Sequence, residues 1–251
     1  MERYDYTTQR LFVDAPLGEG VSVALDKGQS NYLLNVLRMK GGANVLAFNG
    51  RDGEWLCELA VEGRKSASLK TIRQTRERPA PARLHYLFAP LKHARLDYMV
   101  QKAVEMGASM LQPVLTQHTQ ASRINIERMQ ANALEAAEQC GILAIPEIRD
   151  AMKLEPLLSQ WDVIAEPERR LVFCDESASN ANVIGLLEPL RGKPLSVLIG
   201  PEGGFSMQER EMLRALPFVT AIPLGPRILR ADTAAVAALA VVQAVAGDWA
   251  K

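Results

Sequence analysis

The stretch Leu195–Glu209, "LSVLIGPEGGFSMQE", decides how this chain is read. Leu195, Val197, Leu198 and Ile199 make an apolar run of strand length. Gly200, Pro201, Glu202, Gly203 and Gly204 then stop it, with one carboxylate among four residues of special backbone geometry. Ser206 and Glu209 follow at the spacing of a capping box, so a helix is expected over 206–216, just after the glycines. A core strand that ends in so permissive a loop needs a reason.

Outward from there the same rhythm continues. Leu84–Phe88, Met110–Leu115, Leu171–Cys174 and Val219–Pro223 read as strands. Ala94–Met106, Ile124–Cys140, Val183–Leu190 and about Asp232–Asp248 read as helices, with Gly107 and Gly141 as stops. Such alternation implies a parallel sheet covered on both faces, with ligands at the carboxyl ends of its strands. Before residue 73 the pattern is mainly β: Leu11–Val13, Val21–Leu25, Asn44–Phe48, Glu54–Val61 and Ala67–Ile72. Asn49-Gly50 and Asp52-Gly53 supply turn signals, and one helix is expected at about Ser30–Arg38 behind a Ser cap. The chain therefore divides into a small β-barrel domain over 1–73 and an α/β domain over 74–251, joined by a Pro-containing linker at 73–83.

At 251 residues, 48% hydrophobic and 23% charged, the chain can bury a sizeable core. Net charge is zero, yet residues 64–95 carry nine Lys or Arg, among them Arg64, against the single acid Glu77. That run reads either as a solvated linker face or as a surface for a polyanion. Cys57, Cys140 and Cys174 lack paired spacing and His85, His93 and His118 are scattered, so no metal site is expected. The start, "MERYDYTTQRLFVD", has no signal core, and Ala234–Ala246 is too short for a membrane span. A reduced, cytoplasmic protein without membrane or metal is the expectation.

Two loops at strand ends are the candidate ligand sites. The first, "IGPEGGFS", lacks the Lys-Ser/Thr of a P-loop and the G-x-G-x-x-G of a dinucleotide fold. What it offers is backbone N–H and C=O, reachable because glycine has no Cβ, and suited to a purine edge or an amino-acid-like ligand. A tight turn punctuated by glycine is the plain alternative. The second loop, "IPLGPRILRADTAA" at 222–235, sets Arg227 and Arg230 three apart at the approach to a helix.

Together, "IGPEGGFS" and "LGPRILRADTAA" resemble the paired motifs of the RsmE family of 16S ribosomal RNA uridine N3-methyltransferases, in the SPOUT superfamily. "NVLRMKGG", "FNGRDGEW", "MVQKAVEMG" and "EAAEQCG" are similar to that family too, so the resemblance spans nearly the whole chain. One departure stands at Arg230-Ala231-Asp232-Thr233-Ala234, where the family commonly reads Arg-Thr-Glu-Thr-Ala.

The resemblance implies an N-terminal PUA-like β-barrel and a C-terminal SPOUT α/β domain with a mainly parallel sheet and a deep trefoil knot. It also implies a homodimer acting on 16S rRNA within the small ribosomal subunit, and S-adenosylmethionine as methyl donor. The knot and donor site would fall at about 195–240. Carried onto this sequence, the donor pocket is Phe173 and Cys174; Leu198, Ile199, Gly200, Pro201, Glu202, Gly203 and Gly204; Ile222, Leu224 and Gly225; and Leu229, Arg230, Thr233 and Ala234. A side chain at Gly203 is expected to block backbone approach. Arg230 is the candidate at the reacting centre, with pairing to Glu202 or Asp232 as its structural alternative. Glu202 is a second, weaker catalytic candidate and His118 a further one. Arg10, Arg38, Arg51, Arg78, Lys92 and Arg95 are candidates for the RNA backbone. Rival readings are another SPOUT methyltransferase (of a ribose 2′-oxygen or a tRNA base), an RNA-binding assembly factor, and a nucleotide-dependent oxidoreductase.

Overall fold

The computed structural model describes residues 5–63, 65–80, 82–92, 94–120, 123–177 and 182–250. Arg64 and His93 lie outside the described residues. By contacts the chain falls into two units: Met1–Ala80 with Ala137–Ile145, and Pro81–Ala136 with Pro146–Lys251.

The first unit is built on five strands, β1 (Arg10–Phe12), β2 (Ser22–Ala24), β3 (Asn44–Phe48), β4 (Glu54–Gly63) and β5 (Ser66–Arg76), in the order β1-β3-β4-β5-β2. β1 joins β3 in parallel and the other ladders are antiparallel. Between β3 and β4, Gly50 and Gly53 take φ of 77° and 79°, the conformation that the Asn-Gly and Asp-Gly signals anticipate. Leu11, Val23, Leu33, Val45, Cys57, Leu59 and Leu69 fill its core.

Two expectations are corrected here. The helix α1 covers Lys27–Asn31 and is capped by Asp26, whose carboxylate accepts from Gln29 N while the Gln29 side chain accepts from Asp26 N. Ser30 is buried inside it instead of capping it. A π-turn, Tyr32–Val36, follows and leaves Val36 and Leu37 exposed while Leu33 reaches the core. β5 also runs to Arg76, beyond the start of the expected linker, because Arg76 and Arg10 converge on the buried Glu54 carboxylate at 2.8 and 2.9 Å. Burial pushes Glu54 up, but bonds from Arg76, Thr75 and Arg10 outweigh it and hold the acid below its usual range.

The second unit carries β6 (Leu84–Phe88), β7 (Met110–Leu115), β8 (Glu147–Ile148), β9 (Met152–Lys153), β10 (Arg170–Cys174), β11 (Leu195–Ile199) and β12 (Val219–Ile222). Its helices are α2 (Ala94–Glu105), α3 (Ile126–Cys140, of which residues 137–140 are counted in the first unit), α4 (Leu154–Ser159), α5 (Trp161–Ile164), α6 (Val183–Leu187), α7 (Met207–Ala215) and α8 (Ala231–Ala246). Every ladder is parallel, in the order β12-β10-β11-β6-β7-β8, with β9 also on β7. Elements β8, β9, α4 and α5 carried no sequence signal, since two-residue strands show no period.

Strand alternation sends Leu87, Leu171, Phe173 and Leu198 into one core with Leu154, Leu157 and Trp161 of α4 and α5, Leu213 of α7, and Phe205. On the sheet α8 packs against β11 and also against α2. Gln243 of α8 donates to Met106 O at 2.7 Å, just before Gly107 takes φ of 84° to end α2. Ala231–Ala250 is long and apolar enough by composition to cross a membrane, but Ala235, Ala238, Leu239 and Val242 are buried within the protein. The capping box at α7 forms as expected: Glu209 N donates to Ser206 Oγ and Ser206 N to Glu209 Oε2. Glu209 Oε1 accepts from Gln117 N at 2.8 Å, which fastens the segment after β7 to α7.

Candidate functional site

Neighbouring strands β12, β10 and β11 finish side by side, with Cys174 opposite Ile222 and Phe173 opposite Leu198. A cavity of about 310 Å³ opens at their carboxyl ends. Ile199 at the end of β11 and, from the loop after it, Gly200, Pro201, Glu202, Gly204 and Phe205 contribute to its wall. The loop after β12 contributes Leu224 through Arg230, and α8 adds Ala231 and Ala234. Cys174, Asp175 and Glu176 at the end of β10, and Arg210 of α7, complete it. The two loops singled out in the sequence thus meet around one space.

Not every residue expected in the donor pocket borders that space. Phe173, Leu198 and Ile222 are buried in the strands that carry the loops, and Gly203 and Thr233 do not line the cavity. The glycines also divide by role. A Cβ on Gly200 would stand 2.5 Å from the Phe205 ring, and one on Gly204, at φ of 70°, 2.6 Å from Glu176 Oε1. A Cβ on Gly203 would meet His118 Cβ at 3.3 Å, so its crowding is toward His118. Gly225 is needed for its backbone alone: φ is 89° and nothing lies within 4 Å of an added Cβ.

Residues 78–243 match the family described as RNA methyltransferase domain, and residues 25–72 the one described as RNA methyltransferase PUA domain. The chain is 30% identical to ribosomal RNA small subunit methyltransferase E of Synechocystis sp., over 89% of this chain and 73% of that one. It is 28% identical to the Rickettsia conorii protein of the same name, over 93% and 94%. A ribosomal RNA small subunit methyltransferase E from Neisseria gonorrhoeae, solved bound to S-adenosyl methionine, aligns with a TM-score of 0.83 at 25% identity. That alignment covers 96% of this chain and 99% of the other.

The chain belongs to the ribosomal RNA small subunit methyltransferase E family. It is an RNA methyltransferase of α/β fold, with a PUA-like N-terminal domain and a SPOUT C-terminal domain.

In this methyltransferase the acids along the cavity each hold a guanidinium. Asp175, its side chain wholly buried, accepts from Arg214 Nε at 2.9 Å and from Ser177 N and Oγ at 3.0 and 2.9 Å. Burial pushes Asp175 up, but these bonds outweigh it and keep the carboxyl below its ordinary range. Glu176 is paired with Arg210. Glu202 is paired with Arg95 in the first turn of α2, not with Arg230. Burial, with Asp175 adjacent, pushes the Cys174 thiol up to about 12, so a neutral sulfur faces the cavity.

Arg230 occupies the N-cap position of α8 without a side-chain cap bond. Both Arg227 and Arg230 line the cavity and are exposed, and their guanidinium groups make no hydrogen bond or ion pair to a described residue. Asp232, the other suggested partner of Arg230, accepts from Thr233 N instead. The mouth of the cavity is therefore positive.

The candidates for the RNA backbone separate in the same way. Arg10 is 6% exposed, bonded to Glu54 and donating to Asp5 O at 2.6 Å, so it is a core ion pair and not a surface contact. Arg38, at φ of 54°, and Arg78 are exposed, and Arg51 has only a long, solvent-exposed contact to Asp14 at 3.8 Å. Lys92 is exposed and borders a smaller cleft, while Arg95 is committed to Glu202. Sequence reading missed Asp175, Glu176, Phe205 and Arg210; the signal for the first two was the pair of acids directly after the strand ending at Cys174.

Proposed function

We propose that this enzyme methylates N3 of a uridine in the 16S rRNA of the small ribosomal subunit, with S-adenosylmethionine as donor. The observation that carries the reading is the cavity at the ends of β10, β11 and β12, formed by the two loops through which the sequence resembles the RsmE family. Its size suits a small-molecule site, and its wall suits the donor. Ile199, Leu224, Leu229 and Ala234, with loop backbone between them, fit an uncharged purine. The donor supplies a methyl group already activated on a sulfonium, so the chain's task is to position groups and hold charge.

N3 lies on the pairing edge, so the base must be unpaired and turned out, at a cost of a few kcal/mol. Arg230, unpaired and exposed at the cavity, would stabilise the negative charge that develops on the uracil. Arg38, Arg51, Arg78 and Lys92 would hold the RNA backbone. The reading includes cytoplasmic location, an RNA-binding domain over 1–73 and a transferase domain over 74–251. It includes a homodimer, supported by the half-buried row Val236, Ala237, Ala240 and Val241 on α8. It also includes a trefoil knot, supported by a chain path that leaves the edge strand β12 and returns to pack α8 on β11.

The test is mass spectrometry of 16S rRNA nucleosides from cells with and without the gene. Loss of 3-methyluridine with the gene is expected; an unchanged level overturns the assignment.

A further inference from the structure

We propose that His118 is the general base that removes the proton from uridine N3, an inference that rests on the reading above in which N3 is the methylated atom. Each carboxylate along the cavity is held by a guanidinium: Asp175 by Arg214, Glu176 by Arg210 and Glu202 by Arg95. A carboxylate engaged by an arginine must break that contact before it can reach a substrate proton. His118 is differently placed. Its Nδ1 lies 3.0 Å from Gly204 O, and a carbonyl oxygen can only accept, so Nδ1 carries the hydrogen. That bond fixes the tautomer and leaves Nε2 with a free lone pair. Nε2 makes no hydrogen bond to a described residue, and the ring is exposed.

His118 lines a smaller cleft together with Lys92, Gln120, Pro201 and Glu202. Pro201 and Glu202 also line the main cavity, so the two spaces share a wall. The cleft itself is small, about 10 Å³, and the residues around it include an ammonium donor, an imidazole and an amide. The pairing edge of uracil presents an acceptor, a donor and an acceptor, groups that these residue types can meet. Cytosine presents a lone pair at N3 and would meet the lone pair of His118 head on, so the fixed tautomer also selects for uracil.

The step balances within these groups. The N3–H bond breaks and the proton passes to Nε2, giving an imidazolium, while Lys92 offsets charge on the uracil carbonyl oxygens. The N3 lone pair then forms the N–CH₃ bond as the S–CH₃ bond breaks and sulfur leaves as a neutral thioether. The exposed imidazolium returns its proton to water.

His118→Asn tests this in the full-length enzyme, because asparagine keeps an N–H for Gly204 O but has no basic lone pair. Single-turnover methylation of 16S rRNA is expected to fall about 100-fold or more, with donor affinity by calorimetry unchanged. Imidazole in the buffer is expected to raise the rate of His118→Gly. Wild-type turnover in His118→Asn, a parallel loss of donor affinity, or no rescue by imidazole would each overturn the assignment. If the wild-type enzyme makes no 3-methyluridine, the reading of the function fails instead, and the two failures are told apart by that control.

Discussion

Arg214 Nε donates to the buried Asp175 carboxylate at 2.9 Å, which ties the end of β10 to α7 at the cavity wall. Asp175→Asn leaves the Arg214 charge without its partner and weakens a bond network that also includes Ser177. A stability loss of about 1–3 kcal/mol is expected, with weaker donor binding. Denaturant unfolding and calorimetry on the variant measure the two effects. Because the folded carboxyl sits below its unfolded value of 3.8, this stabilisation is present above that pH and is lost as the medium becomes more acid.

Glycine substitutions separate packing from binding. Gly200→Ala drives a methyl into the Phe205 ring, which is packed edge-on against Phe173 at 5.0 Å between centroids. It should cost roughly 1–3 kcal/mol and lower donor affinity. Gly203→Ala crowds His118, at 3.3 Å, and should leave stability within about 0.5 kcal/mol and donor affinity intact. Thermal melts of the apo protein, followed by donor titration, distinguish the pair.

Arg230→Ala removes an exposed guanidinium that nothing in the described chain holds. Stability should stay within about 0.5 kcal/mol. Turnover should fall about 100-fold or more if its charge faces the developing anion. Retained methylation in a single-turnover assay removes Arg230 from the reaction.

His85 gives a pH dependence remote from the chemistry. Burial, with the charges of Arg169 and Arg149 nearby, lowers it from 6.5 to about 3. Between those values the unfolded chain binds a proton that the folded chain refuses. The stabilisation is therefore complete above 6.5 and is lost as pH falls toward 3. His85→Gln should flatten that part of the stability curve, measured by urea midpoints at several pH values, and an unaltered slope removes His85 as the cause.

By itself the sequence determined the class of each long element and the place of the site. Leu195–Ile199, the glycines after it and the Ser206/Glu209 box appear in the structure as read, because strand period, turn geometry and helix capping are local. The motif pair in 195–209 and 222–235 likewise marked both loops of the cavity. What the tertiary structure decided were partners. Arg10 and Arg76 read as basic surface, yet they share the buried Glu54, which lies 44 and 22 residues away from them. Glu202 could have paired with Arg230, but parallel stacking of the strands sets its loop beside α2, where Arg95 takes it. Which glycine guards packing was also hidden, since Gly200, Gly203 and Gly204 are alike in sequence and differ in what stands opposite a Cβ. Local rules reach a few residues along the chain, whereas ion pairs and steric contacts depend on segments that only folding brings together.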